Sequence, residues 1–289
     1  MFGLDKTQPI VEIPISSPDY PAQWRDLPDA PPVVYAKGNI ALLRMRKFTV
    51  VGARRTPAPA MKLGVKIAKE LSQSIAIVTG TADGGDGAAI EGALAGGGNV
   101  ICVLAGGFSA LPQANLNLLN EVAQKGLVLS PYPHDTEIRS FSYEYRNKLL
   151  AALGEGVLVL GAAEKSGALI TARYAKMQQK PIFALPYFPG SAAGEGCNRL
   201  LKEGGILTEN TFDITEKMGI KTEERIRRAV DLTADEEKML TALKTLAEGH
   251  IAQLAEVAGV PAFKAKMLLS ALEVKGLATA LGGNRYAPV

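Results

Sequence analysis

Cysteine and histidine are scarce in this sequence, with two of each in 289 residues: Cys102, Cys197, His134 and His250. Cys102 lies inside an apolar run and Cys197 in a glycine-rich loop, so neither a disulfide framework nor a cysteine-based zinc site is expected, and both read as reduced thiols. His134 follows Pro133, His250 follows Gly249, and neither stands in a catalytic or metal-ligand spacing. No catalytic residue, metal or cofactor is therefore expected. Also missing is any apolar run of about 18 residues, and residues 1–10, with Asp5 and Lys6, lack a basic stretch leading into an apolar one. The expected location is the cytoplasm. A net charge of +3 is too small to mark a polyanion partner by itself. Its distribution says more: residues 1–230 hold 26 basic against 22 acidic side chains, and residues 231–289 hold 6 against 7. A polyanion should meet the larger part.

What is present is an alternation. From Lys47 onward, short Val/Ile-rich runs at 48–51, 75–78, 100–104, 127–129, 157–160, 181–185 and 206–207 are separated by segments of helical periodicity, clearest at 61–71 and 169–179. Runs apolar at nearly every position suit strands covered on both faces. The fold class expected is α/β, a Rossmann-like doubly wound parallel sheet over residues 47–215. Residues 1–46, rich in proline, read as an extended lead-in packed on that core with one short helix at 22–27. A charged stretch at 216–230 reads as a linker. Residues 231–289 then give a helix at 234–247, two helices at 251–257 and 262–274 joined through Gly259 and Pro261, and a hairpin around Gly282-Gly283-Asn284. That is the pattern of a small C-terminal winged-helix domain. Its candidate recognition helix offers only Lys264 and Lys266, so a protein-contact module is the preferred reading.

In an open parallel sheet, ligands bind beyond the carboxyl ends of the strands. The turns there are Gly52-Ala53-Arg54-Arg55-Thr56, Thr79-Gly80-Thr81-Ala82, Ala105-Gly106-Gly107 and Ser166-Gly167-Ala168-Leu169-Ile170-Thr171. Arg54 and Arg55 stand where a dinucleotide fingerprint needs glycine, which disfavours a nicotinamide or flavin; a guanidinium fork there suits phosphate instead. Ser166 and Gly167 combine a helix cap with an anion site, and Thr171 follows one turn later. Asp83 and Asp86 lack the further carboxylates of a calcium loop and read as turn-forming or capping residues. In the stretch 139–148, Phe141, Tyr143 and Tyr145 interleave with Arg139, Arg146 and Lys148. This is the composition of a platform on which bases stack while cations track the backbone, with at least one ring expected in the core.

In their order, these motifs resemble the DprA/Smf family from about Tyr20 to Tyr286. Gly52-Ala53-Arg54-Arg55-Thr56 resembles its Gly-Ser-Arg-x-x-Thr turn, Arg146-Asn147-Lys148 its Arg-Asn-Arg element, and Ser166-Gly167-Ala168-Leu169-Ile170-Thr171-Ala172 its Ser-Gly-Ser-Leu-Ile-Thr-Ala element. Gly196-Cys197-Asn198-Arg199-Leu200-Leu201 resembles its Gly-x-Asn-x-Leu-Ile stretch. Two positions depart: Ile90 stands where histidine is common, and Lys148 replaces the second arginine, keeping charge but losing the fork. The resemblance implies a dimeric, non-catalytic protein that binds single-stranded DNA in a positive pocket and loads the RecA recombinase during natural transformation. Its DNA-contacting residues would be Gly52, Arg54, Arg55, Gly80, Gly106, Gly107, Arg146, Asn147, Lys148, Ser166, Gly167 and Thr171, with Phe141, Tyr143 and Tyr145 as stacking candidates.

Two other functions fit a fold of this kind. A phosphoribohydrolase-like nucleotide enzyme needs a Pro-Gly-Gly-x-Gly-Thr turn, and the nearest strings, Ala95-Gly96-Gly97-Gly98 and Pro189-Gly190-Ser191, do not supply it. A nucleotide sensor signalling through the C-terminal module is the third reading.

Overall fold

The computed structural model describes residues 9–111, 116–220, 232–275 and 277–288, which fall into two compact units divided between Glu224 and Arg225. The first is an α/β unit built on one nine-stranded sheet. Its elements in chain order are β1 (Val11–Pro14), α1 (Ala22–Arg25), β2 (Val33–Gly38), a 3-10 turn (Ile40–Arg44), β3 (Lys47–Val51), α2 (Ala58–Ser72), β4 (Ala76–Thr79), α3 (Gly85–Ala95), β5 (Val100–Val103), α4 (Leu116–Lys125), β6 (Leu127–Ser130), α5 (Ser140–Leu153), β7 (Val157–Val159), α6 (Gly167–Met177), β8 (Ile182–Ala184), α7 (Glu195–Lys202), β9 (Ile206–Leu207) and α8 (Thr211–Met218).

Seven strands, β3 to β9, are parallel and follow the order β6-β5-β4-β3-β7-β8-β9. All seven apolar runs of the sequence are strands, and in β3 to β7 every position is buried because both sheet faces are covered. Phe48, Val50 and Ile77 point into one core with Ile67 of α2 and Ile90 of α3, whereas Val51, Ala76 and Val78 point into the other with Leu149 and Leu153 of α5. Ile90, at the position where the resembling family often has histidine, is fully buried there.

The sheet is mixed rather than wholly parallel as expected, because the extended lead-in of the first 46 residues adds antiparallel strands to it. β1 pairs antiparallel with β2, and β2 antiparallel with β6 (Tyr35↔Ser130, Gly38↔Leu127), so the arm extends the sheet at its edge. Its prolines mask this in the sequence, yet Pro14 ends an edge strand, where a missing N–H costs little. Trp24 of α1 is fully buried, and its indole N–H donates to the Leu149 carbonyl of α5 (2.9 Å). The same helix is fixed at its C-terminal end by Lys180, whose ammonium donates to the carbonyls of Ala151 and Ala152 (2.8 and 2.5 Å). Burial lowers the Lys180 pKa to about 8. Helix α5 is thus held rigidly under β3, β4 and β5, which matters because it carries much of the site.

Of the linker expected at 216–230, residues 216–218 finish α8, and 221–230 lie outside the described residues. The second unit has its own core of Met239, Leu243, Leu254, Leu269, Leu272 and Tyr286. Three helices, α9 (Ala234–Leu246), α10 (Ile251–Ala258) and α11 (Ala262–Val274), pack with a three-stranded antiparallel sheet of β10 (Gly249–His250), β12 (Arg285–Pro288) and β11 (Ala278–Leu281) in that order. Gly259, with φ of 63°, ends α10 in the left-handed region, so that Pro261 can open α11. His250 caps α10 by accepting the Ala252 N–H at Nδ1 (3.3 Å), a structural task.

Candidate functional site

Strand order reverses between β3 and β7, and there the turns after β3 and β4 open a cleft of about 280 Å³ against the N-terminal end of α6 and one side of α5. Val51 to Arg54 form one wall, Ala82 and Asp86 the floor, Tyr143, Arg146 and Asn147 a second wall, and Ser166 to Ala168 with Ile170 and Thr171 the third. Larger hollows of about 570 and 600 Å³ lie between α6 and α7 and beside Tyr187. In the first, Lys176 pairs with Glu203, Arg199 with Glu164, and Arg173 with Glu144 of α5, and the second is mainly apolar. The smaller cleft is the one that lies at the strand-order reversal and is walled by the turns after β3 and β4.

Asp86 and Arg146 set its electrostatics. Asp86 is 4% exposed and accepts the N–H groups of Gly52 and Ala82 (both 3.2 Å), so it ties together the turns that follow β3 and β4. Burial pushes its carboxyl above the usual carboxylate range, opposed by Arg146 and by the two amides. Arg146 is 5% exposed; its Nε donates to Asn147 Oδ1 (3.1 Å) and its Nη1 to the Val103 carbonyl (3.3 Å), with Tyr143 stacked 6.0 Å from the guanidinium carbon. Burial lowers its pKa and Asp86 raises it, but a guanidinium stays charged. Gly80 is where this pair meets the backbone: a side chain there would collide with both Asp86 and Arg146. Asn147 passes the constraint on, donating to the Gly167 carbonyl (3.2 Å) at the start of α6.

With Asp86 and Arg146 balancing one another, Arg54 is the remaining charged residue among those lining the cleft, and it is exposed. Facing it are the start of α6, where Ser166 caps the helix by accepting the Ala168 N–H (3.3 Å), and Thr171. The Thr171 hydroxyl is fully buried and has no protein partner. A buried hydroxyl left unpaired costs about 1–3 kcal/mol, which a bound acceptor would recover. The cleft therefore offers a cation, a helix N-terminus and a waiting donor to an anion, with the half-exposed Tyr143 ring at its edge.

Other expected site residues lie elsewhere. Arg55 is exposed but outside the cleft lining. Gly106 and Gly107 admit the chain's own 133–138 loop: side chains there would strike Ile138 and the carbonyls of Pro133, His134 and Thr136. Lys148 pairs with Asp29, and the Tyr145 hydroxyl donates to the Asp29 carbonyl (2.6 Å), so both hold the N-terminal arm. Phe141, 61% exposed, lines a separate hollow with Tyr132 and Arg139. Conversely, the cleft includes Asp86, which the sequence suggested only as a turn or cap residue. The signal was its place in Thr79-Gly80-Thr81-Ala82-Asp83-Gly84-Gly85-Asp86, beside a strand end. Among the described residues no cluster of three or more His, Cys, Asp or Glu could hold a metal, and no helix is long and apolar enough to cross a membrane.

Residues 12–219 match the sequence model of the family described as DNA recombination-mediator protein A. The DNA processing protein DprA of Bacillus subtilis is 34% identical over 216 residues, 74% of this chain and 73% of that protein. A putative DNA processing protein DprA of Mycobacterium tuberculosis is 32% identical over 273 residues, 91% of this chain and 70% of its own length. Among solved structures, DNA processing protein A of Streptococcus pneumoniae superimposes with a TM-score of 0.69 at 33% identity, covering 72% of this chain and 74% of that one. That of Helicobacter pylori, studied for its single-stranded DNA binding mode, gives 0.66 at 30% identity, covering 74% and 98%.

Proposed function

We propose that this chain, which belongs to the DNA recombination-mediator protein A (DprA/Smf) family, binds single-stranded DNA, protects it, and loads the RecA recombinase onto it in natural transformation or recombination. The observation that carries this reading is the convergence of Arg54, the start of α6 and the unpartnered Thr171 hydroxyl on one cleft edged by Tyr143. An anion of phosphate size satisfies the first three, and a base face satisfies the ring. Gly52, Ser166 and Gly167 bring backbone to the phosphate, while Arg146 and Asn147 act from beneath by fixing the turns and α6. The role calls for no turnover, since the chemistry is phosphate and base recognition.

In this reading the first unit is Rossmann-like, with the cleft at its switch point, and residues 231–289 form a winged helix that meets protein rather than DNA. Residues 1–46 belong to the core unit and 216–230 bridge the two. The protein acts in the cytoplasm and self-associates as a dimer.

Binding of a fluorescent oligothymidine at two salt concentrations tests the proposal, with duplex DNA and AMP as competitors. Salt-sensitive binding that neither competitor displaces is the expected result. Arg54→Ala should weaken it about tenfold and lower the log–log salt slope by about 0.7, the share of one phosphate contact on a single strand. No DNA binding alongside saturable AMP binding would overturn the reading in favour of a nucleotide enzyme or sensor.

A further inference from the structure

Helix α11 is apolar on two opposite sides. Ala265, Leu268, Leu269 and Leu272 point into the core of the second unit. At 3.6 residues per turn, Phe263, Met267, Ser270 and Val274 fall within about 60° of one another on the other side. There Phe263 is 86% exposed, Met267 62% and Val274 90%. Single exposed apolar residues need no explanation, but three in one stripe on a 13-residue helix form a patch of the kind that a partner covers. The same side is the one a winged helix would lay into a DNA groove, and its central stripe carries no cation, Lys264 and Lys266 standing on opposite flanks. Lys264 sits on its flank, paired with Asp235.

The stripe is complementary to itself. Its spacing of four, three and four residues is that of a coiled-coil seam, and set against its own reverse it matches Phe263 with Val274 and the large Met267 with the small Ser270. One flank carries Lys266 and Glu273, both exposed, and the other carries Lys264 and Ala271. We propose that α11 pairs antiparallel with α11 of a second copy of this chain, about a twofold axis passing between Met267 and Ser270. Phe263 then packs on Val274 of the second copy, and Met267 fills the space above its Ser270. Antiparallel pairing places like flanks together, so Lys266 faces Glu273 of the second copy and Glu273 faces its Lys266. A parallel arrangement offers no such match, because it sets the Lys266/Glu273 flank against the Lys264/Ala271 flank.

A helix of this length spans about 20 Å, so the contact lies at the small end of specific interfaces and is transient on its own. It gains strength where copies are already held close, as on one DNA strand or within a dimer formed by the first unit. The pairing itself does not depend on the cleft or on DNA.

The full chain is the material for the test. Sedimentation velocity over a concentration series should resolve a self-association step that Met267→Glu weakens about tenfold or more, since it sets a buried like-charge pair across the axis. Any dimer held by the first unit persists in the variant and provides the baseline. Separately, Ser270→Cys should yield a reductant-sensitive covalent dimer under copper phenanthroline, because the two positions lie about 4–5 Å apart along the paired helices. Lys244→Cys, on the exposed side of α9, should not. Native Cys102 and Cys197 are buried and leave the assay clean. Unchanged association of Met267→Glu, or equal cross-linking of the two cysteine variants, overturns the proposal. So does loss of duplex DNA binding in Met267→Glu, which would make this face a DNA reader.

Discussion

The two sides of α5 do different work, although the sequence presents them as one stretch of rings and cations. On one side Tyr143, Arg146 and Asn147 wall the cleft; on the other Tyr145 and Lys148 grip Asp29 of the N-terminal arm, and Phe141 lies over a separate hollow. Residues 143, 146 and 147 share a face at spacings of three and four, as do 141, 145 and 148. Composition announces a nucleic-acid platform, but helical phase divides it into a site and its scaffold.

That division predicts unequal damage. Arg146→Ala should be the most disruptive change, because Asp86 and Arg146 form a buried pair of opposite charges with no direct hydrogen bond between them, and the variant leaves Asp86 without that compensation. Removing one member of such a pair costs about 3–5 kcal/mol, to be measured by urea unfolding monitored through the first unit. The pH dependence carries a sign. The native Asp86 pKa lies above its unfolded value of about 4, so the native state binds the extra proton. The stability contribution of this group is then greatest below the unfolded pKa and declines as pH rises toward the native one. Loss of Arg146 widens that window, so the deficit of the variant relative to the parent should shrink as pH falls from 7 toward 4. A deficit independent of pH would show that Arg146 stabilises the fold by some route other than Asp86.

The legibility of the fold and of the site in the sequence differ for a related reason. Parallel strands buried on both faces write themselves as continuous apolar runs, and each of the seven was readable. Strands β1 and β2 were not, since their prolines and polar neighbours look like a loop until β6 supplies a partner. The cleft was readable where glycine and arginine follow a strand, at Gly52 and Arg54, and where a cap opens a helix, at Ser166. Asp86, read as a turn or capping residue, does tie the turns by accepting from Gly52 and Ala82, but its place in the cleft beside Arg146 was not readable, because Gly52 and Arg146 are 34 and 60 positions away and only the fold brings them together. Gly106 and Gly107 show the reverse error: close backbone approach was correctly expected, but what approaches is the 133–138 loop and not a ligand.

Smaller effects sharpen the comparison within the cleft. Tyr143→Ala should cost binding about 1–3 kcal/mol if a base stacks on the ring, whereas Tyr143→Phe should preserve it; oligothymidine affinity measured beside thermal melting separates this from unfolding. Thr171→Val is isosteric and removes the unpartnered hydroxyl. It should weaken DNA binding modestly while leaving stability unchanged or raising it by about 1 kcal/mol. A variant that lost stability would mean that the hydroxyl has a partner in the free protein.

Lys148→Ala is expected to be the mildest, and it decides whether α5 has two sides in function as well as in geometry. Its ammonium is paired with Asp29, and the side chain is only 19% exposed. Tyr145 keeps its own bond to the Asp29 carbonyl when Lys148 is gone. Surface pairs of this sort are worth about 0–1 kcal/mol, so the arm should loosen slightly, visible as faster amide exchange around Asp29. Oligothymidine affinity should change less than about twofold, and the salt slope should not move. A slope lowered by about 0.7, as expected for Arg54→Ala, would mean that Lys148 leaves Asp29 to meet a phosphate. The arm would then be a competitor for that lysine, and DNA binding would release it.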